Sequence, residues 1–157
     1  MKRFIPKIFI SIFLANIGLA LPMMAQADVN MADIQDFATR MSVAANSKSI
    51  QQVSKLVADD ALVSVSRKGK TSTLNKTSYL NLLQNNWSKA SNYNYQVEIN
   101  NVVVAGNQAK ADVVTIEMLT EQGQAISLVT TSRATFKQES TGVVLTRAIS
   151  QLAIEQH

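Results

Sequence analysis

The chain of 157 residues reads as an α+β domain in which a strongly bent antiparallel sheet, four long strands plus short edge strands, wraps around about three helices of the N-terminal half. Two observations carry this expectation. Helical periodicity dominates up to residue 90 and long β-rich runs follow it, the order of an α+β domain rather than of alternating βαβ units. The four glycines beyond residue 27, Gly69, Gly106, Gly123 and Gly142, each separate two β-rich runs, as turn residues between antiparallel strands do.

The first 27 residues read as a cleaved signal peptide. Met1 to Lys7 carries positive charge, Ile8 to Leu21 is apolar apart from Ser11, Asn16 and Gly18, and Ala25-Gln26-Ala27 offers small residues at a cleavage site. The apolar stretch is shorter than the roughly 20 residues of a spanning helix. Without Lys2, Arg3 and Lys7, 12 basic side chains face 11 acidic ones, a net charge of +1, so the basic character of the chain belongs mostly to the leader. A nearly neutral domain has no electrostatic footprint for nucleic acid or an anionic membrane surface. The expected product is a periplasmic or secreted single domain over 28–157, with no cysteine to lipidate and no later membrane span.

Within that domain, Asn30 can cap a helix with Asp33 in its first turn and Ile34, Phe37, Ala38, Met41, Ala44 and Ala45 as its apolar stripe. Asn46 and Ser47 interrupt it. Ser49 can then cap a shorter helix burying Ile50, Val53, Leu56 and Val57, and a third begins near Asn75 with Tyr79, Leu80, Leu82, Leu83 and Trp87 as apolar positions. Three short amphipathic helices cannot bury a core alone and must cover a sheet. Its expected strands are Ala61 to Ser66, a short piece near Thr71, Tyr95 to Ala105, Ala109 to Thr120, Ala125 to Lys137 and Val143 to Gln151, with Arg67-Lys68-Gly69-Lys70 as a solvated hairpin tip.

The order helix, short helix ending in Val57-Ala58-Asp59-Asp60-Ala61, short strand, helix, then four long strands bent at Gly106, Gly123 and Gly142 resembles the NTF2-like (cystatin-like α+β) superfamily, in particular its small exported SnoaL-like and DUF4440-like members. Ala58-Asp59-Asp60-Ala61 resembles the acidic junction between second helix and first strand. Thr141-Gly142-Val143 stands at the place of the last hairpin, without the tryptophan common just after that turn. The resemblance implies a cone whose open end forms a pocket, and a homodimer paired through the outer sheet face. Ketosteroid isomerases, polyketide cyclases, dehydratases and members without chemistry share the fold, which therefore does not give the function.

Residue chemistry narrows the choice. The one histidine, His157, is terminal, and there is no cysteine, no metal-ligand cluster and no phosphate loop or nucleophile elbow, so neither a cofactor nor a metal is expected. An isomerase of this type needs a carboxylate base in an apolar pocket with a tyrosine or protonated carboxyl as oxyanion donor. The six aromatic residues of the mature chain, Phe37, Tyr79, Trp87, Tyr93, Tyr95 and Phe136, are few for gripping a flat ring.

Strand registers locate candidates. Pairing Ala105 with Gln108, Glu121 with Gln124 and Gln138 with Gly142 puts Asn101, Asp112, Arg133 and Arg147 in one row on the convex face, Arg133 directly opposite Arg147. The row is either a solvated charge ladder or a position for an acidic ligand or partner. Val97, Ile99, Val114, Ile116, Val129 and Ile149 would share that face as a dimer surface. The same count points Glu98 and Glu117 into the cone, where desolvation of one could create a base. Tyr95, Asp60 and Asp59 complete the weaker candidates.

Two function classes remain: a non-enzymatic exported module that binds a small ligand or an envelope protein through the cone mouth or sheet face, and a cofactor-independent isomerase, cyclase or hydratase-like enzyme with a carboxylate in the cone. A closed apolar pocket above about 300 Å³ that brings Glu98 or Glu117 within reach of a tyrosine favours the enzyme, and a filled cone favours the binder.

Overall fold

In the computed structural model, which describes residues 27–156, Asn30 starts helix α1 (Met31–Asn46) by a capping box. Its side chain accepts the Asp33 N–H at 3.0 Å and the Asp33 carboxylate accepts the Asn30 N–H at 2.9 Å. The expected stripe, Ile34 to Ala45, is the buried one. Ser49 caps α2 (Ile50–Leu56) and Asn75 caps α3 (Lys76–Lys89), each accepting the N–H three residues on. Of the apolar positions of α3 only Trp87 is fully buried, because the helix lies at the rim of the sheet. The leader lies outside the described residues except for Ala27, as does His157. No helix among the described residues is long and apolar enough to cross a membrane.

The strands are β1 (Val57–Arg67), β2 (Lys70–Asn75), β3 (Ser91–Ala105), β4 (Gln108–Glu121), β5 (Gln124–Glu139) and β6 (Gly142–Gln156), longer than expected at nearly every end. They form one curled, unclosed sheet in the order β2-β1-β6-β5-β4-β3. The β3 to β6 meander is antiparallel, but β1 runs parallel to β6, so the sheet is mixed rather than wholly antiparallel. Val57, expected in the second helix, opens β1. Asp59 and Asp60 are exposed within β1, where its pairing with β6 is interrupted between Val57 and Leu62.

The Gln122-Gly123 turn has both residues at positive φ, +51° and +78°, the geometry that matches strand twist. It fixes the β4–β5 register as expected, with Asp112 opposite Arg133. The other two long hairpins each slip by a bulge. In β3 the expected pairing holds from Ala105 to Val103, but Asn100 rather than Asn101 then stands opposite Asp112, and Asn101 has φ +51°. One extra residue reverses every face N-terminal to it. Glu98 therefore pairs with Val114 on the outer face, exposed and bonded to Asn100, instead of entering the cone. Val97 and Ile99 turn inward, against the expectation that they join a dimer surface; Ile99 is 7% exposed. In the β5–β6 hairpin Glu139, not Gln138, meets Gly142, and a second irregularity between Thr135 and Phe136 sets Arg133 opposite Ile149 and Arg147 opposite Thr135. The two arginines are thus diagonal neighbours and not a directly opposed pair.

The core lies between α1 and the concave sheet face. Ala109, Ala111, Ala134 and Ala148, all buried, are small enough to let α1 approach, and Phe37 meets Phe136 edge-on at 4.9 Å between ring centroids. Asn46, which interrupts the α1 stripe, has a structural task. Its amide oxygen accepts the Tyr95 N–H at 2.8 Å and its Nδ2 donates to the Tyr95 carbonyl at 2.9 Å, so it pairs with edge strand β3 as a neighbouring backbone would.

Candidate functional site

A cavity of about 170 Å³ is lined by residues of α1, α3 and the concave sheet face. Its wall is mostly apolar and aromatic, with Phe37, Met41, Leu83, Val97, Val113, Leu128 and Phe136 beside Tyr79, Trp87, Tyr93 and Tyr95. Polar groups enter from β4 to β6: Thr115, Glu117, Thr130, and the hydroxyls of Ser132 and Ser150, which bond each other at 2.8 Å. A space of this size matches a molecule of about six to eight heavy atoms, given that a cavity of roughly 150 Å³ holds benzene.

Glu117 is the expected cone carboxylate that the structure does place in the cavity, and Tyr95 stands directly opposite it on β3. The tyrosine that engages it is Tyr93, whose hydroxyl donates to Oε1 at 2.8 Å. Tyr93 lies in an irregular stretch of β3 between the pairs Ser91–Thr120 and Asn94–Met118, next to Asn92 at φ +52°, so it is free of the ladder. Burial raises the Glu117 carboxyl above the ordinary glutamate range, and the Tyr93 bond only partly offsets this. Burial, followed by the nearby Glu117 charge, pushes the phenols of Tyr79 and Tyr93 upward; Tyr95 rises chiefly by burial as well, so all three are neutral hydroxyls. The buried Trp87 indole N–H opposes the rise at Tyr93 yet misses hydrogen-bond geometry, so it has no partner among the described residues. Lys48 seals the outside: its Nζ donates to the carbonyls of Trp87 and Ala90 at the end of α3 and lies 5.8 Å from the Tyr93 ring centroid.

The remaining expected site residues lie elsewhere. Asp112 on the outer face accepts from Asn101 at 2.8 Å and from Arg133 at 2.7 Å, bonds that hold its carboxyl below the ordinary range, Asn101 first. Arg147 is exposed outside that group. Asp59 accepts from Lys76 at 2.9 Å, which lowers its carboxyl likewise. Asp60 lines a separate groove with Arg40, Asp59, Lys137 and Glu139. Among the described residues no three His, Cys, Asp or Glu side chains converge on a metal position. Sequence reasoning passed over Tyr93, Tyr79 and Trp87 as pocket residues. The spacing of Tyr93 and Tyr95, two apart and hence on one strand face, was the available signal.

No family model matches the chain, and no curated protein does. Solved structures do. A conserved protein from Planctomyces limnophilus superposes with a TM-score of 0.69 at 16% identity, covering 79% of this chain and 96% of its own. An NTF2-like protein with a cystatin-like fold from Novosphingobium aromaticivorans gives 0.63 at 21% identity over 77% and 80%. A ketosteroid isomerase-like protein from Erwinia carotovora atroseptica gives 0.60 at 17% identity over 77% and 94%. At these identities the likeness is one of fold, and fold alone does not give function. The chain has the NTF2-like, cystatin-like α+β fold.

Proposed function

We propose that the protein is an exported, non-enzymatic module that binds one small molecule inside the cone, anchored by Glu117. The observation that carries this reading is the Tyr93–Glu117 bond within an apolar cavity. A tyrosine that donates its hydrogen bond to the carboxylate does not stand across a substrate from it to receive an oxyanion, which is where a base and donor pair must be placed for isomerisation. The cavity is also smaller than the roughly 300 Å³ from which pockets for larger ligands begin. Export is supported by the charged, apolar and small-residue segments before Asp28. Native mass spectrometry of the protein recovered from its own envelope tests the reading: a co-purifying small molecule that raises the melting temperature supports it, and a ligand-free protein indifferent to added small molecules overturns it.

A second reading, a cofactor-independent isomerase or hydratase, is favoured by one observation, a buried carboxyl whose pKa is raised within a cavity that also holds the Tyr79 and Tyr95 hydroxyls. Deuterium uptake by small enolisable ketones in heavy water, abolished by Glu117→Gln, would establish it.

We also propose that Val114, Ile116 and Val129, half-buried and adjacent on the outer face across the Ile116–Val129 pair, meet a second copy of the chain.

A further inference from the structure

We infer that the ligand of the cone cavity is a small organic cation, a compact alkylammonium or quaternary ammonium ion seated against Glu117. The inference deepens the binding reading and rests on it. Its first support is the charge inventory of the wall. Glu117 is the one carboxyl among the lining residues, and no lysine, arginine or histidine is among them. An anion would repel the ionised form of this carboxyl, a neutral molecule would leave that form unpaired, and a cation would pair with it.

The protein does not supply the missing counter-charge itself. The ion pairs among the described residues are Arg40–Asp36, Lys76–Asp59 and Arg133–Asp112, and Glu117 is in none of them. Lys48, the cation that approaches the aromatic cluster, spends its donors on the Trp87 and Ala90 carbonyls. Glu117 receives a single donor, Tyr93, although a carboxylate offers about four lone-pair positions. Its Oε2 accepts from no described residue.

The second support is the company of that carboxylate. Four electron-rich rings, Tyr79, Trp87, Tyr93 and Tyr95, line the same space, and Trp87 meets Tyr93 at 69° and 6.2 Å, a corner of two differently oriented rings. Aromatic rings arranged around a carboxylate attract alkylated ammonium ions through their quadrupoles while tolerating the methyl groups, which a hydrated polar pocket would not. A tetraalkylammonium headgroup also fits the volume of about 170 Å³.

Only ionised Glu117 can pair with the cation, so affinity rises with pH as the carboxyl titrates. The groups that share the cavity with it from α3 and β3 are the phenols of Tyr79, Tyr93 and Tyr95, which stay neutral, and the lining residues of β5 and β6 do not titrate.

The test compares choline with 3,3-dimethylbutan-1-ol, which has its shape without its charge. The chain has a single tryptophan, Trp87, in the cavity wall, so intrinsic fluorescence reports occupancy directly. Choline is expected to change the signal saturably and at least tenfold more tightly than the alcohol, with affinity rising from pH 4 to pH 7. Glu117→Gln, checked for folding by its melt, should weaken choline at least tenfold more than it weakens the alcohol. Equal or tighter binding of the alcohol, or a pH-independent choline affinity, overturns the cation and leaves a binder of neutral molecules. Failure of both probes to bind also overturns the cation as drawn, and the native mass spectrum then decides separately whether the cavity binds anything.

Discussion

The Tyr93 hydroxyl and the Glu117 carboxylate meet at 2.8 Å on the concave face, joining a strand irregularity to a carboxyl whose pKa burial raises. The bond holds Glu117 in place and compensates part of its burial. Oε2 accepts from no described residue, the lining residues of the cavity include no basic side chain, and the functional reading turns on that imbalance.

Glu117→Gln should stabilise the free protein at neutral pH. A carboxyl whose folded pKa is raised contributes most at low pH, where it is protonated in both states, and that contribution is lost as pH rises through the folded pKa. The gain is expected as a higher melting temperature at pH 7 that vanishes below about pH 4, near the unfolded glutamate pKa. Melts of both proteins across that range check it.

Tyr93→Phe removes the donor and should act in the opposite sense. The carboxyl rises further, and stability at pH 7 falls by about 1.5 kcal/mol, the scale of a hydrogen bond to a charged group. The loss should shrink at pH 4 and in the Glu117→Gln background, which a double-mutant cycle measures.

Asn101 is expected to tolerate glycine better than a β-branched residue, because its φ of +51° lies in the left-handed region. Both changes remove the bond to Asp112, so the difference between Asn101→Val and Asn101→Gly, about 1–2 kcal/mol by chemical denaturation, isolates the backbone.

Ile116→Lys should move the folded protein to the monomer position in size-exclusion chromatography if the outer face joins two copies. A wild type that already elutes as a monomer removes that surface from consideration.

Caps and turns were legible because they are local. Asn30, Ser49 and Asn75 satisfy helix N–H groups three residues away, and the Gln122-Gly123 turn sets the β4–β5 register within a few residues, which correctly pointed Glu117 inward. The cone itself followed from element order and small inward residues such as Ala111 and Ala134. What remained illegible depends on partners distant in the chain. A bulge adds one residue with no compositional mark, so Asn101 silently reversed Glu98, Val97 and Ile99, and the irregularity beside Phe136 moved Arg147 away from Arg133. The parallel seam between β1 and β6 and the Asn46 clamp on Tyr95 arise only when the sheet curls around α1. The Tyr93–Glu117 meeting belongs to the same class, since alternation assigns a face, whereas a 2.8 Å contact between residues 24 apart requires the packed sheet to bring them together.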